Sequence, residues 1–166
     1  MTRKKFVISL VAAILSSAGW AQSTPSEQQL PDYAKTPKEL AAIAPTGGAG
    51  GSGNPKVRVV NILGDPSKPG IYSQLLRVGP HAQIAAHHHA GDRIGTVLKG
   101  TWHLGYGSKF DRIKLHTLPP GSVYTEPTGG PHFAMTEDEE VIVLITGTGP
   151  TDTVYENPAD DPTANK

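Results

Sequence analysis

The sequence contains no cysteine, which excludes disulfides, thiolate metal sites and cysteine nucleophiles. Any metal bound to this chain must be held by His, Asp, Glu or water. Charged residues make up only 18% and the formal net charge is +0. The basic residues form no cluster apart from Arg3, Lys4 and Lys5; without these three, acidic residues exceed basic ones by three. That balance argues against nucleic acid as a partner. The apolar run near the start, Phe6–Leu15, is shorter than the ~20 residues a membrane-spanning helix needs. There is no G-x4-G-K-[ST] loop to cradle a phosphate and no G-x-S-x-G elbow for a serine hydrolase.

Turn formers are plentiful, with 19 glycines and 15 prolines in 166 residues and a hydrophobic content of 37%. This composition suits many short strands joined by turns better than a helical bundle. The length fits one domain with extensions. Residues 1–21 read as a signal peptide: a basic start, the apolar run, then Gly19 and Ala21 at −3 and −1 of a cut before Gln22. Export combined with the absence of cysteine points to a periplasmic or secreted protein. Residues 22–55 read as a flexible linker. Within them Thr36–Ala44 predicts a short helix with Thr36 as N-cap, Pro37 at N1 and Glu39 at N3. Gly47–Gly53 predicts a spacer with nothing to bury. The domain is expected over 56–156, followed by a tail at 157–166.

Within the domain, strands are expected at Val57–Leu63, Ile71–Val78, Ala82–His89, Ile94–Lys99, Trp102–Tyr106, Ile113–Leu118, Ser122–Glu126, His132–Thr136 and Val141–Thr146. Turn signals such as Gly64-Asp65-Pro66 and Pro119-Pro120-Gly121 separate them. That spacing indicates an all-β sandwich or closed barrel. Trp102 and Tyr106 share parity and are expected to pack in the barrel. Glu137–Glu140 is expected to be a solvated acidic turn, and His81 and His116 surface or satisfied strand histidines.

The chemistry is concentrated in one place. All seven histidines lie between 81 and 132, and three are consecutive at His87, His88 and His89. On a strand, side chains alternate faces, so His87 and His89 share one face and His88 takes the other. Two imidazoles two residues apart on one face can reach the same ion. Downstream, Gly121-S-V-Y-T-E-Pro127-T-Gly129-G-P-His132 carries a Pro-x-Gly turn that delivers a histidine three residues later.

These two segments resemble the motifs of the cupin superfamily, G-x5-H-x-H-x3,4-E-x6-G and G-x5-P-x-G-x2-H-x3-N. Gly121, Pro127, Gly129 and His132 match the second, with Thr136 in place of the Asn. His87, His89 and Gly100 match the first. Gly79 lies two residues too far upstream, and Arg93 stands where the motif has its glutamate. The resemblance covers about Val57–Tyr155. It implies an all-β, single-domain jelly-roll β-barrel with His87, His89 and His132 as ligands of a divalent transition metal (Fe, Mn, Zn or Ni). It also implies a small-molecule ligand or substrate and points to a homodimer formed through the sheets.

Arg93 cannot ligate a cation, and three readings of it stand open. Three histidines and water hold the metal while Arg93 faces an anionic substrate. Alternatively, Glu126 or Asp92 supplies the missing carboxylate. In the third reading metal binding is lost and the pocket is a plain ligand site. Arg93 and Glu126 are accordingly the candidate catalytic residues. The reactions implied are Lewis-acid or oxygen-activating chemistry on a small oxygenated or carboxylate-bearing molecule; the rival is a non-enzymatic small-ligand binding protein.

Overall fold

The structure is a computed structural model that describes residues 30–46 and 50–164. Residues 1–21, read as a signal peptide, lie outside the described residues. Among the described residues ten strands follow one short α-helix, α1 (Pro37–Ala41). They are β1 (Val57–Leu63), β2 (Gly70–Val78), β3 (Gln83–His88), β4 (Arg93–Lys99), β5 (Trp102–Tyr106), β6 (His116–Leu118), β7 (Val123–Glu126), β8 (His132–Met135), β9 (Val141–Gly149) and β10 (Val154–Tyr155). One five-stranded sheet has the order β1-β2-β9-β4-β7 and the other β10-β3-β8-β5-β6, with antiparallel pairing throughout.

Alternation along the strands builds the core. On β9, Val141, Val143 and Ile145 are fully buried, while Ile142 and Leu144 between them face the other side and are half-buried. Tyr72, Leu76 and Val78 of β2 and Val97 of β4 join them from the same sheet, and Ile84, Trp102, Leu104 and Ala134 close the core from the opposite sheet. Each large apolar side chain buried here contributes about 1.5–3 kcal/mol. Gly95 has a packing reason: a Cβ there would lie 2.2 Å from Cζ of Tyr124, whose ring crosses the strand at that point.

The strand expectations hold closely, with one exception. Ile113–Leu118 does not form a single strand. Asp111 caps a 3-10 turn at Arg112–Lys114 by accepting from the Ile113 N–H, and β6 begins only at His116. The side-chain cap competes with the ladder for the backbone. The capping box of α1 forms as expected: Thr36 Oγ1 accepts from the Glu39 N–H, and Glu39 accepts from the Thr36 N–H. Trp102 is in the core, but Tyr106, on the same face, is 39% exposed at the rim and donates its hydroxyl to the Thr125 carbonyl. Among the described residues no helix is long and apolar enough to cross a membrane.

The expectation that Gly47–Gly53 has nothing to bury fails in its second half. Gly50 and Ser52 are buried against the barrel. The Gly50 carbonyl accepts from Arg93 Nη1 at 2.9 Å, and the Ser52 carbonyl accepts from the Tyr155 hydroxyl. Gly50 has φ +76°, and a Cβ there would lie 2.9 Å from Thr151 Cγ2 and 3.1 Å from Arg93 Nη1. Glycine allows both the conformation and the close approach. Replacing Gly50 with valine is expected to cost about 1–3 kcal/mol locally. Limited proteolysis should then cut faster around residues 50–55 while the barrel stays intact.

Candidate metal centre

Two cross-strand pairs meet inside one end of the barrel. In one sheet His87 of β3 is the register partner of His132 of β8; in the other, Arg93 of β4 is the partner of Glu126 of β7. His89 follows β3 directly and is 1% exposed. His87, His89 and His132 are all buried, and each offers a nitrogen lying within 4.8 Å of the others. His88 points the other way, half-buried, with Nδ1 at 2.6 Å from Glu156. Strand parity therefore sorts the triple histidine as the sequence implied.

Backbone carbonyls set the imidazole orientations. Nδ1–H of His87 donates to the Ala85 carbonyl at 2.8 Å, that of His89 to Asp152 at 2.5 Å, and that of His132 to Gly130 at 3.1 Å. A ring that donates from Nδ1 presents a lone pair at Nε2. Nε2 of His89 and of His132 is buried without a hydrogen-bond partner. Burial in the apolar interior, reinforced by His132, pushes the His87 pKa down to about 4; burial, reinforced by Arg93, pushes His89 down to about 3. Both rings are therefore neutral at ordinary pH, the form that ligates.

Glu126 completes the cluster. Its Oε2 lies 3.5 Å from His89 Nε2 and 3.6 Å from His132 Nε2. For the neutral His89 ring this is a contact of acceptor with acceptor, unfavourable unless a cation lies between them. For comparison, metal–ligand bonds of about 2.1 Å in tetrahedral geometry set neighbouring ligand atoms about 3.4 Å apart. The donor set fits a metal ion. Burial works to raise the Glu126 pKa, but Arg93 and the histidines outweigh it and hold it down at about 2.

Arg93 is 3% exposed, and each nitrogen of its guanidinium has a protein partner. Nε donates to Glu126 Oε2 at 2.6 Å, Nη2 lies 2.5 Å from the same oxygen, and Nη1 goes to Gly50. Two of the three nitrogens thus share the same carboxylate oxygen. Asp92 is not at the site. It is exposed and accepts from the N–H and hydroxyl of Thr128, so it secures a turn. The cavity between the two pairs is small, about 20 Å³, and is bounded by Gly50, Ser52, Trp102, Ile84, Leu104 and Ala134 along with the two pairs themselves, His87 with His132 and Arg93 with Glu126. That is room for roughly one water-sized group.

Sequence reasoning missed the arm at Gly50–Ser52 and also Tyr155, whose ring centre lies 5.5 Å from that of His87. A glycine run invites close backbone approach as readily as flexibility, and nothing local distinguishes the two.

Among solved structures, the chain is similar to the polyketide cyclase RemF from Streptomyces resistomycificus, at 18% identity, covering 66% of this chain and 78% of that one with a TM-score of 0.56. It is also similar to the DMSP lyase DddQ from Ruegeria pomeroyi, at 18% identity, 60% and 51% coverage and a TM-score of 0.50. This is the cupin fold. A salicylate 1,2-dioxygenase variant from Pseudoaminobacter salicylatoxidans shares it at 13% identity, 60% and 30% coverage and a TM-score of 0.50. No protein-family model matches the chain, and no curated protein matches it. A cyclase, a lyase and a dioxygenase on one fold leave the reaction to be argued from this chain's own site.

Titration of that site has a definite sign. The folded pKa values of His87 and His89 lie below the ordinary 6.5, so the unfolded chain binds more protons. Stability is then present above about pH 6.5 and is lost as pH falls toward 4 and 3. Two such protons give a slope of up to about 3 kcal/mol per pH unit. Urea midpoints of chelator-treated protein between pH 7 and 4 should show this slope, and His89→Gln should flatten it.

Proposed function

We propose that the protein is a mononuclear metal-binding cupin in which His87, His89 and His132 hold a divalent transition metal (Fe, Mn, Zn or Ni). One observation carries the reading: three buried imidazoles, each tied through Nδ1 to a backbone carbonyl, bring nitrogens within 4.8 Å of one another beside a carboxylate. When bound, the metal supplies a Lewis acid or an oxygen-activating centre. The chain's own residues hold the three imidazoles in fixed orientation and line the cavity with apolar walls. The arm at Gly50–Ser52 covers that cavity. A small oxygenated molecule offering a single donor atom suits so confined a space. A carboxylate-bearing one would compete with Glu126 for the Arg93 guanidinium.

Location in the periplasm or outside the cell is part of the proposal and rests on the composition of residues 1–21 alone. The test is elemental analysis of protein purified without a histidine tag, expected to give close to one metal per chain. Protein that stays metal-free after incubation with Fe, Mn, Zn and Ni would refute the metal reading. A panel of small oxygenated compounds then separates an enzyme from a binding protein: turnover supports the enzyme, and ligand recovered unchanged after long incubation supports the binder.

A further inference from the structure

We propose that Glu126 is a fourth protein ligand, delivered from β7 rather than β4, and that Arg93 is the positioning residue that aims it. The inference rests on the metal reading above. Register is the first support. Arg93 and Glu126 face each other directly across β4 and β7, so an inward side chain at either position reaches the same space. At position 93 that space receives a guanidinium and at 126 a carboxylate.

Orientation is the second support. A carboxylate has about four lone-pair sites. Arg93 holds one of the Glu126 oxygens, Oε2, from one side, through a contact shared by Nε and Nη2. The same oxygen faces His89 Nε2 and His132 Nε2 at 3.5 and 3.6 Å, and neither nitrogen has a hydrogen-bond partner. Arg93 is itself held from behind by the Gly50 carbonyl through Nη1. The order is thus backbone carbonyl, guanidinium, carboxylate, imidazoles, with every guanidinium nitrogen engaged before the cluster is reached. A hydrogen-bonded partner of this kind fixes ligand orientation and typically changes metal affinity 10–100-fold.

A plain buried ion pair is the competing account. In that account Glu126 only cancels the charge of Arg93 near the ion. Both accounts expect Glu126→Gln to weaken binding, so the single variant's affinity does not separate them. The paired variant Arg93→Met with Glu126→Met does, because it removes both charges together and leaves the three histidines. Such replacements of a buried pair by apolar residues are commonly tolerated by the fold.

Co2+ is the probe, with affinity from titration and coordination from the visible absorption spectrum, on the full chain. If Glu126 is a ligand, the paired variant binds Co2+ about tenfold or more weakly than wild type, and the spectra of both variants differ from it. Wild-type affinity in the paired variant, or an unchanged spectrum in Glu126→Gln, overturns the fourth ligand while leaving the three-histidine site standing. Wild-type protein that takes up no Co2+ overturns both. Should the paired variant fail to fold, the Glu126→Gln spectrum decides alone.

Discussion

Alanine at His132 is expected to abolish stoichiometric metal binding and to leave the barrel folded. His132 is 2% exposed, and its Nε2 points into the cavity without a hydrogen-bond partner, so the hydrogen bond lost with the ring is that of Nδ1–H to the Gly130 carbonyl. What the metal loses is a direct ligand. Partners one step removed from a metal already account for 10–100-fold in affinity, so a loss of about 100-fold or more is expected here. His87→Ala and His89→Ala should behave alike, because all three rings are oriented in the same way, by Nδ1–H on a carbonyl. His88→Ala is the control. Its ring is on the other face against Glu156, and metal content should not change. Thermal unfolding with and without added metal reads the effect directly. Wild type and His88→Ala gain stability with metal, by about 2.7 kcal/mol at a hundredfold excess over the dissociation constant, and the other three gain little. A His88 variant that loses metal along with the others would show that the tract binds as a surface cluster and not through strand parity.

That parity argument was legible because it is local. A period-two strand fixes which of three consecutive histidines share a face, and the chain obeys it at His87, His88 and His89. The turn at Pro127-x-Gly129 was legible for the same reason: Gly129 has φ +66°, a conformation that glycine adopts readily. Three features depend on distance along the chain and were not. The pairing of Arg93 with Glu126 joins residues 33 apart and is set by the register of β4 on β7. A pair between them was one option the sequence left open, but whether they met was a tertiary fact, and so was the exclusion of Asp92, one residue away and turned to Thr128. The carbonyl on His89 comes from Asp152, 63 residues on. The arm at Gly50 reaches Arg93 over 43 residues. Its composition carries no hydrophobic pattern to announce burial, because what it brings to the barrel is backbone. Within Ile113–Leu118, by contrast, the error was local: the capping oxygen of Asp111 outweighed the apolar residues that suggested a single strand.

Breaking the buried pair from one side should be far more damaging than removing it whole. Arg93→Met leaves the Glu126 carboxylate in the interior with no cation beside it, and Glu126→Met leaves an unpaired buried guanidinium. Loss of one partner from such a pair typically costs 3–5 kcal/mol. The paired variant should recover most of that, so a double-mutant cycle on urea midpoints of metal-free protein should return a large coupling between the two positions. Acid supplies the check on cause. In wild type the Glu126 pKa is held at about 2, below the ordinary carboxylate value of 4.5, so its contribution is present above about pH 4.5 and lost as pH falls toward 2. In Arg93→Met, burial remains and the guanidinium is gone, so the carboxyl pKa should move above the ordinary value and the variant should prefer to fold protonated. Its deficit against wild type should then shrink as pH falls from 7 toward 4, where the buried acid becomes neutral. A deficit that stays constant with pH would mean that the cost is lost packing around the arginine stem rather than a stranded charge.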